Sequence, residues 1–86
     1  MITVLFFAKY RELLGTAKIS LSAADIDLTK CTVAALKVSL AERGALWRDV
    51  LAAENTLCAV NQDLAGDDTP ISLGDEVAFY PPVTGG

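Results

Sequence analysis

The chain has 86 residues, of which 52% are apolar, and a formal charge of −4 at neutral pH. This length supplies one small domain with a single modest core and excludes two domains, and the apolar fraction indicates a globular chain rather than a disordered one. The acidic balance argues against nucleic acid as a partner, because a protein that binds phosphates presents a basic face to them.

The first part of the chain predicts a strand, a short helix and a return strand. Ile2 to Phe7 is rich in β-branched and aromatic side chains, which favours a strand. Lys9 to Leu14 predicts a short helix that ends at Gly15, because glycine readily adopts the left-handed conformation that follows a helix. Lys18 to Leu21 alternates in polarity, as expected of the return strand.

The main helix is predicted to begin after Thr32. The apolar residues Val33, Leu36 and Leu40 recur at helical spacing, and Thr32 precedes them as a suitable N-cap. Gly44 is predicted to be the C-terminal stop of this helix.

The second half of the chain predicts three further elements. Ala45 to Leu51 favours another short helical piece, in which Trp47 is expected to pack rather than to hold a ligand. Leu57 to Asn61 and Glu76 to Tyr80 favour two strands, the second introduced by the Gly74-Asp75 turn.

This order of elements indicates an α+β domain over residues 1–80, with the main helix packed on one face of a sheet. The alternation that turns Phe6 toward the helix turns Leu5 and Phe7 outward. In the last strand, Phe79 is expected to point inward and Tyr80 outward. The outer face is therefore unusually apolar, which predicts a docking surface that includes Phe7 and Tyr80.

Several kinds of site are disfavoured by the sequence. The chain has no histidine, the usual general base near neutral pH, and it has no glycine-rich phosphate loop. Its two cysteines, Cys31 and Cys58, lack a metal or redox spacing, and Cys58 is expected to be a core residue. The acidic pairs Asp67-Asp68 and Asp75-Glu76 lie in turn-like sequence, so we expect solvated turn residues rather than a glycosidase pair. We expect no metal site, no cofactor bound by the chain itself and no complete active site.

The last residues are predicted to form an extended tail: Pro81, Pro82, Val83, Thr84, Gly85, Gly86. Proline fixes φ and favours an extended conformation in the residue before it, and glycine without Cβ makes the thinnest possible backbone. The alternative is a frayed terminus or an expression scar. We favour a working tail, because the glycines follow an apolar strand-like run with no linker between.

A terminal carboxylate on such a tail suggests a particular kind of chemistry. It is ionised at neutral pH and is a poor electrophile until it is activated. A slim tail that ends in a carboxylate suits a partner with a narrow channel and an activating reagent. The apolar opening of the chain is too short to span a bilayer and lacks the flanks of a signal peptide, so we expect a cytoplasmic protein with no membrane partner.

The sequence resembles the MoaD family, the small subunits of molybdopterin synthase, nearly from end to end. Its least similar stretch is Leu21 to Lys30, an expected enlarged loop before the main helix. The resemblance depends on these segments: Phe6-Phe7-Ala8, Arg11-Glu12-Leu13 with Gly15, Ala59-Val60-Asn61-Gln62, Gly74-Asp75-Glu76-Val77-Ala78-Phe79, and Pro81-Pro82-Val83-Thr84-Gly85-Gly86. It implies a ubiquitin-like β-grasp fold.

The resemblance also implies a chemical role for Gly86. In this family an E1-like enzyme, MoeB, uses ATP to adenylate the C-terminal glycine, and a sulfur donor protein converts the adenylate to a thiocarboxylate. The large subunit, MoaE, then receives the tail and passes the sulfur to cyclic pyranopterin monophosphate. The family further suggests an assembly of two small and two large subunits. Phe7, Leu64 and Tyr80 match hydrophobic docking positions, and Arg11 is implied to pair with an acidic group on a partner.

Two alternatives remain open at this point. The terminal Gly-Gly is shared with ThiS-like carriers of the thiazole pathway and with ubiquitin-like modifiers that form isopeptide bonds with lysines. The Pro-Pro-Val-Thr stem disfavours the ThiS route. Covalent attachment to many proteins would favour a modifier.

Overall fold

The computed structural model describes residues 1–26, 29, 31–52 and 55–82. The helices and strands in this part of the chain are, in order, β1 (Ile2–Phe6), α1 (Lys9–Leu14), β2 (Lys18–Leu21), α2 (Val33–Ala41), α3 (Ala45–Ala52), β3 (Leu57–Val60), β4 (Asp63–Ala65) and β5 (Glu76–Tyr80). Most of the predicted elements are confirmed, with one additional strand and changes at four boundaries, the smallest being the end of α3 at Ala52 rather than Leu51.

The strands form one mixed sheet in the order β2-β1-β5-β3-β4. β1 and β5 are parallel, and the other neighbouring pairs are antiparallel. The last strand in the chain is therefore the central strand of the sheet. Pro81, which follows Tyr80, therefore lies at the middle of one end of the sheet. The end of β1 lies on one side of it and the start of β3 on the other.

One face of the sheet carries the core. Phe6 is at its centre: its ring meets the edge of Trp47 at a centroid distance of 5.3 Å and stacks on Phe79 at 6.0 Å. Trp47 is thus a packing residue, as predicted. The guanidinium carbon of Arg43 lies over the Trp47 ring, 5.1 Å from its centroid, in a cation–π contact. Side chains from β1, β3, β5 and both longer helices join the same cluster: Ile2, Val4, Val33, Leu36, Leu40, Val50, Leu51, Cys58, Val60, Val77.

The predicted signals at two helix ends are confirmed. The Thr32 hydroxyl accepts a hydrogen bond from the Ala35 N–H at 3.2 Å and so caps the start of α2. Gly15 has φ +70° and donates its N–H to the Arg11 carbonyl at 3.0 Å, which ends α1.

The predicted end of the main helix is wrong. α2 ends at Ala41, with Glu42 as its C-cap, rather than just before Gly44. Gly44 instead opens α3, because its carbonyl accepts the Arg48 N–H at 3.0 Å. The main helix does not cover the sheet by itself, since α3 also buries apolar residues, Val50 and Leu51, in the core.

Two predicted strand ends are also corrected, and one strand was not predicted. β1 stops at Phe6 rather than Phe7, and β3 stops at Val60 rather than Asn61. Asn61 and Gln62 have φ values of +52° and +72° and form a tight turn into β4. The sequence gives β4 little signal because it is only three residues long and begins with Asp63.

No helix in the described ranges is long and apolar enough to cross a membrane.

Candidate docking face and tail attachment

The sheet face opposite the helices, here called the outer face, carries a continuous apolar row. Leu5 of β1 pairs with Ala78 of β5, Ala78 pairs with Ala59 of β3, and Ala59 pairs with Leu64 of β4. The residues on either side of Leu5, Ala78 and Ala59 belong to the core, so these three side chains point to the outer face. Leu64 shares that face because it pairs directly with Ala59. Leu64, at the end of the row, is 75% exposed.

A second apolar group lies at the end of the outer face where β5 finishes. Tyr80 pairs with Leu57 across β5 and β3, and both side chains are half-buried. Phe7 follows the Phe6–Phe79 pair and donates its N–H to the Phe79 carbonyl at 3.2 Å, so it continues alongside β5. Its ring is 46% exposed. The predicted outward direction of Leu5, Phe7 and Tyr80 is consistent with these registers, and Leu64 joins the same face.

The chain turns sharply just after Phe7. Ala8 has φ +54° and ψ −132°, a conformation that an L-residue rarely adopts, and the Tyr10 N–H closes the turn on the Phe7 carbonyl at 3.2 Å. The buried Tyr10 shares a 2.8 Å hydrogen bond with the Thr56 hydroxyl, which donates to the Val50 carbonyl at 2.8 Å. The segment that carries Phe7 is therefore anchored to α3.

Arg11, the predicted ion-pair residue, is exposed in α1, four residues after Phe7. Its backbone N–H donates to the Ala8 carbonyl at 3.1 Å. The backbone of Arg11 is thus fixed in the first turn of α1, close in sequence to Phe7 of the outer face.

The tail begins in the middle of this apolar group. Pro81 and Pro82 follow Tyr80 directly, and both are partly buried. Because β5 is central, Phe7 and Leu57 flank the point where the tail starts. The remaining predicted tail residues lie outside the described residues: Val83, Thr84, Gly85, Gly86.

A polar network lies at the opposite end of the outer face. Asn61 donates its side-chain amide N–H to Asp75 Oδ1 at 3.0 Å, and its Oδ1 accepts the Glu76 N–H at 3.0 Å. The Ser72 N–H donates to Asp75 Oδ2 at 2.8 Å. The hydrogen bonds from Ser72 and then Asn61 stabilise the carboxylate and hold the pKa of Asp75 below its ordinary value. Asp75 thus lies in a turn, as expected, but it is a hydrogen-bonding centre rather than a merely solvated residue.

The other candidate chemical groups serve the fold. Burial raises the pKa of the Cys58 thiol to about 11, so the side chain is a neutral core residue, as predicted. Asp67 pairs with Lys37 at 3.0 Å across an exposed surface. Within the described ranges, His, Cys, Asp and Glu side chains form no group of three that could hold a metal ion.

Leu57 and Ala59 also lie on the outer face, and neither was predicted to be a docking residue. Strand alternation could have indicated their direction: if Cys58 points into the core, its neighbours Leu57 and Ala59 point to the opposite face. What the sequence lacked was the register that places them beside Tyr80 and Leu64.

A mixed five-stranded sheet with helices on one face, a parallel β1–β5 pair at its centre and a tail leaving the central strand defines a ubiquitin-like β-grasp domain. Residues 4–86 match the model of the ThiS family. The chain belongs to the ThiS family, which confirms the family resemblance and the fold expected from it.

Two relatives match over their full length and over all of this chain. The molybdopterin synthase sulfur carrier subunit of Escherichia coli (strain K12) is 49% identical over 86 residues, and the protein described by the same words in Haemophilus influenzae is 42% identical over 86 residues. Both exceed the similarity needed to establish common ancestry.

Solved structures agree on the fold. SAMP1 from Haloferax volcanii has a TM-score of 0.79 at 22% identity and is covered to 98%, with 99% of this chain aligned. A chain of the complex between subunits 1 and 2 of the molybdopterin-converting factor of Helicobacter pylori has a TM-score of 0.65 at 22% identity, with 99% of this chain and 97% of that chain covered. At these identities the likeness establishes the β-grasp fold alone.

Proposed function

We propose that this chain is the sulfur carrier, and the non-catalytic small subunit, of a molybdopterin synthase. The observation that carries the proposal is the position of the tail, which begins at Pro81 between Phe7 and Leu57 on an exposed apolar face. A partner that covers this face would receive the tail at the same time. The two relatives that match over their full length, at 49% and 42% identity, are both sulfur carrier subunits of this enzyme.

The reacting group in this proposal is the carboxylate of Gly86. An E1-like activating enzyme of the MoeB type joins it to the adenylyl group of ATP, and pyrophosphate leaves. Sulfur at the oxidation level of sulfide, delivered by a sulfur donor protein, attacks the acyl carbon and displaces AMP, which yields the thiocarboxylate. Adenylation is needed because a free carboxylate is a poor electrophile and AMP is a good leaving group.

The large subunit, MoaE, supplies the catalytic groups in the second half of the cycle. It takes up the tail, and the sulfur passes to cyclic pyranopterin monophosphate while water restores the carboxylate of Gly86. Val83 and Thr84, with the two glycines, give the tail its reach, and Pro81 and Pro82 stiffen its start. The division of labour follows from the residues available, since the chain has no histidine.

Docking is proposed to use the outer face. Phe7, Leu64 and Tyr80 are its anchors, because large apolar and aromatic side chains that become fully desolvated supply most of the free energy of an interface. Arg11 pairs with an acidic group of a partner at the rim. The complete enzyme contains two small and two large subunits, and the ATP-dependent cycle takes place in the cytoplasm.

Reconstitution tests this function directly. The thiocarboxylated chain is mixed with purified MoaE and cyclic pyranopterin monophosphate, and molybdopterin is measured. We expect product in proportion to the thiocarboxylate consumed, and rescue of a strain that lacks its own small subunit. Rescue of a thiazole-requiring strain instead would indicate the ThiS route, and ladders of proteins covalently linked to this chain would indicate a modifier.

A further inference from the structure

The strand that carries Leu64 is weakly held in the sheet. β4 has three residues, lies at the edge and pairs only with β3. Leu64 is 75% exposed, so its own packing does little to fix the strand. An edge strand of this length can tilt about its neighbour while keeping its register. Something beyond the strand pairing must therefore fix where Leu64 lies relative to Tyr80.

The turn that precedes β4 is tied to the central strand by Asn61. The Asn61 N–H donates to the Glu76 carbonyl at 2.7 Å, and the side-chain Oδ1 accepts the Glu76 N–H at 3.0 Å. The side-chain Nδ2 donates to Asp75 Oδ1 at 3.0 Å. All three hydrogen bonds run from one turn residue to the first residues at the start of β5. They prevent the β3–β4 turn from swinging away from the centre of the sheet.

Asp75 is itself held by two further hydrogen bonds. Its Oδ2 accepts the Ser72 N–H at 2.8 Å, and its backbone carbonyl accepts the Thr3 N–H of β1 at 3.0 Å. The Asn61 amide therefore connects the turn before β4 to Asp75, which is hydrogen-bonded to β1 and directly precedes β5. Those two strands carry Leu5, Ala78 and Tyr80, three further residues of the outer face.

We infer that Asn61 is a positioning residue for partner docking, because its side-chain amide holds β4 in the plane that aligns Leu64 with the other apolar residues of the outer face. Asn61 lies at the end of the sheet opposite to Tyr80, and it acts through Leu64. The inference rests on the proposed function, since it assumes that a partner covers the outer face.

The structure offers a matched pair of variants. Asn61 and Gln62 are adjacent, exposed, and both have positive φ, a conformation that glycine adopts without strain. Asn61→Gly keeps the turn and removes the two side-chain hydrogen bonds, to Asp75 and to Glu76. Gln62→Gly makes the same kind of change in the same turn and leaves the Asn61 amide in place, so it controls for added backbone freedom.

Binding of the purified large subunit, MoaE, is measured by titration calorimetry in a double-mutant cycle with Leu64→Ala. We expect Asn61→Gly to weaken binding about fivefold, the effect of losing about one ordinary hydrogen bond, and Gln62→Gly to leave it unchanged. In the Leu64→Ala background, Asn61→Gly should have no further effect. If Asn61→Gly lowers the affinity for MoaE equally in the wild-type and Leu64→Ala backgrounds, or lowers it in neither, the inference is overturned.

A second measurement needs no partner. Residual dipolar couplings of the amides of residues 63–65 report the orientation of β4 relative to β5. We expect them to change in Asn61→Gly and not in Gln62→Gly, and unchanged couplings in both variants would refute the positioning role. If the wild-type chain fails to bind MoaE at all, the proposed function fails, and the couplings still decide whether Asn61 orients β4.

Discussion

Tyr80 lies directly opposite Leu57 in the antiparallel pairing of β5 and β3, and the next residue, Pro81, starts the tail. The end of the central strand, an aromatic side chain and an aliphatic neighbour thus meet at one point of the outer face. A protein that packs on this pair must also contact the first residues of the tail. In the proposed function, docking and delivery of the tail therefore use the same surface.

Replacing Phe7 with Asp should weaken binding to MoaE by about 30-fold or more, because a charge would enter an apolar contact that is meant to be desolvated. The melting temperature should change little, since the ring is already 46% exposed. Leu46→Asp is the matched control: Leu46 is 54% exposed and lies in α3, on the helical side of the sheet. Calorimetric titration and thermal unfolding of both variants check this, and equal affinities for the two variants would remove Phe7 from the interface.

Asp75 should make stability depend on pH in acid. Its pKa is lower in the folded state than the ordinary value of 3.8, so its contribution is fully present above 3.8 and is lost as the pH falls through the folded pKa. The difference in free energy of unfolding between the wild type and Asp75→Asn should be constant near neutrality and shrink below pH 3.8. Urea unfolding at a series of pH values measures it. A difference independent of pH would mean that the Ser72 and Asn61 hydrogen bonds do not depend on the charge.

Cys58 should resist alkylation in the folded protein. Burial raises the pKa of its thiol to about 11, so almost none of the reactive thiolate is present near neutral pH, and the residue is only 4% exposed. Because the unfolded thiol ionises at 9.0, the stability that this residue contributes should fall as the pH rises from 9.0 toward about 11. Iodoacetamide labelling followed by peptide mapping checks the first point. Rapid modification of Cys58 without unfolding would show that the β3 strand opens.

The elements with strong local signals were predictable from the sequence. β1 and β5 alternate with large apolar residues, Thr32 supplies a hydroxyl where α2 starts, and Gly15 takes the left-handed conformation that ends α1. The prediction that Gly44 ends α2 was wrong because glycine occurs at both ends of helices. Here Gly44 lies at the start of α3. β4 was missed because its three residues carry no alternating pattern of their own.

The docking face was predictable only in part. Alternation shows that Phe7 and Tyr80 face outward, but the neighbours of Tyr80 depend on the register between distant strands, which short-range patterns do not encode. Leu64 was implied by the family resemblance alone, and its place beside Ala59 came from the structure. The hydrogen bonds from Asn61 to Asp75 and Glu76 join residues that are 14 and 15 positions apart, so no local motif could have revealed them.

The proposed function requires that the carboxylate of Gly86 be converted to a thiocarboxylate. The most direct test is the intact mass of the purified chain after incubation with MoeB, ATP and a sulfur donor, with a chain that lacks Gly86 as the control. The account predicts a gain equal to the replacement of one oxygen by sulfur, located in the last residue, and no gain in the control, although both chains melt at nearly the same temperature. A full-length chain that keeps its original mass under these conditions would contradict it.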